Sequence, residues 1–147
     1  MNIEALRIIC LNFPRVTEDI KWENHLTFLV AGKMFCLTGL DSSFSVALKV
    51  PTEDFDELIA RPGITQAGHF ARRQWIGIDE ENMMSRDEWI RLLKQSYDLV
   101  VAKLSQKVLR EIRGREEQRI SPFDWLRALW KYQIIIFRME SSNTAFR

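Results

Sequence analysis

A chain of 147 residues, 46% hydrophobic, is long enough for one domain with a real core, burying about 68–70% of the surface it exposes when unfolded. Its formal net charge of +1 hides a division: residues 1 to 105 carry 12 Lys+Arg against 15 Asp+Glu (−3), residues 106 to 147 carry 9 against 5 (+4). A segment of net −3 is a poor general binder of polyanions unless its cations gather on one face, and no apolar run is long enough for a transmembrane helix.

In chain order, Ile3, Leu6, Cys10 and Phe13 recur at helical spacing and Pro14 ends the pattern, so a first helix is predicted over 3 to 12. From Thr17 the pattern becomes strand-like. Strands are expected over 17–22, 26–30 and 33–38, the last two joined across Ala31-Gly32. A fourth follows over 44–50, where Phe44, Val46, Leu48 and Val50 alternate with Ser45, Ala47 and Lys49. Pro51-Thr52 opens a second helix, with Thr52 as N-cap and Phe55, Leu58 and Ile59 on its apolar face, and Arg61-Pro62-Gly63 breaks it. Residues 74 to 79 read as a further strand.

Ser85 and Glu88 then form an S-x-x-E capping box, and Trp89, Leu92, Leu93, Ser96/Tyr97, Val100, Leu104 and Val108 follow at three- and four-residue steps. That helix is expected to run to Arg113 with Gly114 as its stop. The order α-β-β-β-β-α-β-α gives an α+β fold, a two-layer sandwich of antiparallel sheet with helices on one face. A domain over 1–113 is expected, followed by an amphipathic extension over 114–147.

In the extension, Ser121 and Pro122 can begin a helix over 122–138. Asp124, Arg127, Lys131 and Arg138 form a narrow polar stripe on it, and Trp125, Leu129, Trp130, Ile134 and Phe137 belong to the broad apolar face. Such a face folds back on its own domain, pairs with a second copy, or meets a membrane surface or another protein; Ile134–Phe137 can alternatively be read as a strand. Those five residues are the candidate partner or dimer contacts. From Ser141 onward the chain is expected to lack order.

Chemistry is sparse. His25 and His69 stand 44 residues apart with no metal-ligand spacing, and Asp79-Glu80-Glu81 reads as charge ahead of a helix N-terminus, so no metal site is expected. The sequence lacks G-x-S-x-G, G-x-x-x-x-G-K-[ST] and G-x-G-x-x-G, so no catalytic residue, cofactor or small-molecule substrate is assigned. Cys10 and Cys36 sit in apolar periodic segments, which suits reduced core thiols. With no basic, then apolar, leader at the N-terminus, a cytoplasmic protein is expected.

Several landmarks come together: Phe13-Pro14, Glu18-Asp19-Ile20-Lys21-Trp22, Gly32-Lys33-Met34-Phe35, Lys49-Val50-Pro51, Arg61-Pro62-Gly63, Trp75 and Gln95-Ser96-Tyr97. Over residues 1 to 107 the chain resembles the MmcQ/YjbR family, whose members adopt a CyaY-like fold and are commonly labelled DNA-binding. The resemblance implies a DNA-binding module and carries no catalytic residues with it. Lys33 and Lys49, whose charges no strand needs, and Arg72 and Arg73 are its candidate phosphate contacts. Trp22 and Trp75 are candidate stacking residues, against the commoner outcome in which indoles are buried. The alternative is a protein-interaction or dimeric adaptor module, distinguished by binding that salt does not weaken.

Overall fold

Largely apolar segments between Val16 and Lys49, separated by short turns, build four consecutive antiparallel strands. In the computed structural model these are β1 (Val16–Lys21), β2 (His25–Val30), β3 (Lys33–Gly39) and β4 (Val46–Lys49). The structure describes residues 1–41 and 43–116. Two units divide the chain, Met1–Leu109 and Arg110–Arg147. The expectations for Trp125, Leu129, Trp130, Ile134 and Phe137 lie outside the described residues.

Helix α1 (Ile3–Leu11) precedes the strands, its N-terminus capped by Asn2, whose side chain accepts the Ala5 N–H at 2.8 Å. After β4 come a 3-10 turn (Thr52–Asp54), α2 (Phe55–Ile59), β5 (Ile64–Gln66), β6 (Trp75–Ile78), α3 (Arg86–Val101) and α4 (Gln106–Glu116). The sheet is open, with strand order β1-β2-β3-β4-β6-β5 and every pairing antiparallel. Helices α1, α2 and α3 pack against it, and α3 joins α2's end through the bidentate Arg61–Glu88 pair. The result is the α+β two-layer sandwich.

Three details depart from the sequence reading. Strand β5 is an addition: three residues carry too little alternation to be seen, and they form a strand by pairing with β6. Thr52 does not cap a helix; it begins the 3-10 turn, and neither that turn nor α2 has a side-chain cap. The third is the long helix, which ends at Val101 instead of running on. Ser105 restarts the chain as α4, its Oγ accepting the Val108 N–H at 3.4 Å and its carbonyl the Leu109 N–H at 3.0 Å. Helix α4 then passes through Gly114 to Glu116.

Two short connections fix where charges end up. Ala31 (φ 50°) and Gly32 (φ 74°) both adopt left-handed backbone between Val30 and its partner Lys33, the geometry of a two-residue hairpin turn matched to strand twist. This turn pins Lys33 at the first position of β3. A bulge then pairs Phe28 with Cys36 and Leu29 with Met34, leaving Phe35 without a partner on β2.

Candidate anion site

The bulge leaves a gap in the ladder that α3 fills. Strands β3 and β4 pair only from Cys36↔Leu48 onward, so the Phe35 carbonyl and the Lys49 N–H lie beyond the last rung. Ser96, fully buried on α3, bridges them: its Oγ accepts the Lys49 N–H at 2.9 Å and donates to the Phe35 carbonyl at 2.5 Å. One hydroxyl thus fixes the last residue of β4 to α3. The neighbouring Tyr97 anchors the other side, its ring against Phe13 and Phe35 and its hydroxyl donating to the Pro14 carbonyl at 2.8 Å.

Antiparallel register puts the start of β3, the end of β4 and the start of β6 at one end of the sheet, with Lys49 opposite Trp75. There, Lys33, Lys49 and Lys103 surround a cavity of about 380 Å³ whose walls are Met34, Val100 and Leu104. Lys103 belongs to the turn after α3, so strand ends and a helix exit supply the three ammonium groups. Lys49 is half-buried, while Lys33 and Lys103 are exposed at the rim.

Carboxylates neutralise many of the other cations. Arg7 holds Glu18 bidentately and reaches Glu4, Arg61 and Arg91 share Glu88, Lys94 pairs with Asp98, and Arg73 pairs with Asp56. These arginines hold Glu18, Glu88 and Asp56 below the usual carboxylate range. Lys33, Lys49 and Lys103 have no such partner among the described residues. Burial, and then the adjacent Lys103, push the Lys49 ammonium below its ordinary value of 10.5.

A stability signature follows. At neutral pH both the folded and unfolded chain carry the Lys49 charge, and the folded state bears its cost in full. As pH rises through the lowered folded value toward 10.5, the folded protein releases that proton first and the cost disappears. Lys49→Met, which keeps the stem and the backbone N–H, is therefore expected to raise the melting temperature at pH 7, and the gain should vanish above pH 10.5. A lower melting temperature for the variant at pH 7 would show that Lys49 is stabilised where it stands.

The other sequence candidates are placed differently from one another. Arg73, near the same end, is occupied: its guanidinium binds Asp56 at 2.7 and 3.0 Å and lies 5.5 Å over the Phe55 ring. Arg72 is exposed and has no ion pair among the described residues. Trp75 is 8% exposed and stacked on Phe70 at 4.6 Å, so it is buried and not open to a base. Trp22 is 64% exposed, in the β1–β2 hairpin at the opposite end of the sheet, about 17 Å from the lysines by the rise of a six-residue strand. The structure thus brings Lys33 and Lys49 together, adds Lys103, and separates both from Trp22. Among the described residues no group of three or more His, Cys, Asp or Glu is placed to hold a metal ion, and no helix is long and apolar enough to cross a membrane.

A sequence model of the YjbR family matches residues 11–99, which include Lys33, Lys49 and the Ser96 bridge. The chain belongs to the YjbR family. Among solved structures, Deinococcus radiodurans protein DR2400, with a DUF419 domain, is similar at 26% identity and a TM-score of 0.69, over 76% of this chain and 87% of that one. A Pseudomonas syringae protein at 22% identity, TM-score 0.58, covers 67% of this YjbR chain and 98% of its own, and shares the fold. No protein of curated function matches. Lys33 and Lys49 fall within the matched residues of the YjbR model, and Lys103 lies just past their end.

Proposed function

We propose that this YjbR protein is a non-enzymatic binding module that holds nucleic-acid phosphates through Lys33, Lys49 and Lys103. The observation that carries the reading is the convergence of three lysines, without carboxylate partners among the described residues, on one cavity of about 380 Å³. Like charges crowded together are unfavourable until an anion joins them, and ammonium groups on flexible stems suit phosphate oxygens. The two buried free thiols, Cys10 and Cys36, fit a protein working in a reducing cytoplasm.

Fluorescence anisotropy of the full chain with single- and double-stranded DNA, from about 50 to 200 mM salt, tests this reading, because phosphate contacts must weaken steeply over that range. Absence of binding at the lowest salt would remove nucleic acid as the ligand.

One observation favours a protein partner. Ile20 (59% exposed), Trp22 (64%) and Leu40 (42%) leave apolar surface at the opposite end, on and beside edge strand β1. Trp22 and Glu23 hold left-handed backbone there (φ 50° and 68°), a conformation costing a non-glycine residue about 1–2 kcal/mol. Binding through this patch would persist at high salt.

A further inference from the structure

We infer that the lysine pocket takes a phosphomonoester, the phosphorylated end of a nucleic-acid strand, in preference to the interior of a backbone. The inference rests on the nucleic-acid reading above and narrows it.

Charge is the first ground. A monoester phosphate carries about −1.5 to −2 at neutral pH, whereas each internal diester carries a single charge shared with a chain of equally spaced neighbours. Three ammonium groups around one cavity match the former. Interior binding needs cations in a row, and residues 1 to 105 carry net −3. Of the arginine pair just before β6, Arg73 is already held by Asp56, which leaves Arg72 as one further exposed cation and not a row.

Shape is the second. At about 380 Å³ the cavity equals roughly a dozen water volumes of ~30 Å³ each, enough for a phosphate and part of its nucleoside. Met34, Val100 and Leu104 give the attached sugar or base an apolar wall, and the polar contacts come from two exposed lysines and the half-buried Lys49. This is a site for a terminus entering end-on. Among the described residues that line it, the cations are three lysines around one volume, not a row along which a continuing strand would lie.

Crowding is the third. Lys49 already holds its proton less firmly than an ordinary lysine, first through burial and then through Lys103. A dianion placed among the three groups relieves that repulsion more than a monoanion does.

The test uses the full chain and a short single-stranded oligonucleotide, labelled internally and carrying a phosphate at the 5′ end, at the 3′ end, or at neither. A phosphorylated end is expected to bind about tenfold tighter than the unphosphorylated strand, as one extra charge-assisted contact implies. Lys33→Ala/Lys103→Ala, both at exposed positions, should erase that difference. Equal affinity for all three strands, lost in the lysine variant, would overturn the end-specific reading and leave the phosphate reading standing. No binding by any strand would overturn both. A free nucleoside 5′-monophosphate binding as tightly as the phosphorylated strand would overturn the strand as the source of the phosphate and assign the pocket to a small phosphorylated metabolite.

Discussion

Ser96→Ala is expected to destabilise the protein by about 2–3 kcal/mol, since it strands a buried N–H and a buried carbonyl at once, each costing about 1–3 kcal/mol when left unpaired. The volume change is one oxygen atom, so the loss comes from hydrogen bonding and hardly at all from packing. Ser96 is fully buried, and among the described residues its hydroxyl is the bridge between Lys49 and Phe35 where the β3–β4 ladder stops. Urea unfolding measures this directly. The same substitution should weaken phosphate binding, because Lys49 would lose the tie that fixes it to α3. A change under about 0.5 kcal/mol, the range of ordinary surface substitutions, would mean that the strand ends hold without the bridge.

Removing the three ammonium groups together, as Lys33→Ala, Lys49→Met and Lys103→Ala, is expected to reduce DNA affinity on the order of 100-fold, about 1 kcal/mol per charge-assisted contact after screening. Arg73→Ala should leave affinity unchanged within about twofold. The contrast arises from pairing. Arg73 already satisfies its guanidinium with Asp56 in an exposed, solvent-screened pair, while the lysines line an open cavity. If Arg73→Ala abolished binding and the lysine variant did not, the site would have to move to the β6 side of the sheet.

The parts of this fold visible in the sequence are those whose cause is local. Trp89, Leu92, Leu93, Tyr97 and Val100 repeat at helical spacing and form α3's buried face. Ala31-Gly32 announces a two-residue turn, and the turn is there. Ser85 caps α3 as the box requires, accepting the Glu88 N–H at 3.2 Å, although the Glu88 carboxylate turns away to Arg61. What stayed hidden depends on distant partners. Ile64–Gln66 is a strand because β6 lies beside it. The break after Val101 occurs among residues that favour helix, where the Ser105 hydroxyl offers the backbone a competing cap.

The site divides the same way. Lys33 and Lys49 stand out in sequence because no strand needs their charge, but their neighbour Lys103 lies more than fifty residues later and only folding brings it alongside. Arg73 looks available until Asp56, seventeen residues upstream, is seen against it. Nothing local distinguishes the two tryptophans. Trp75 is covered because Phe70 stacks on it, and Trp22 is exposed because its hairpin projects it from the end of the sheet. The acidic balance of residues 1 to 105 left one route to anion binding, a local cluster of cations, and the unpaired lysines form one.

The most direct test of that claim is the slope of log affinity against log salt for single-stranded DNA, measured on the full chain and on the triple-lysine variant. Each phosphate charge neutralised contributes a slope of about −0.7 on single strands, so loss of a site that holds one phosphorylated end should make the variant's slope shallower by about 1 to 1.4. Identical slopes and identical affinities for the two proteins would contradict a phosphate site at Lys33, Lys49 and Lys103.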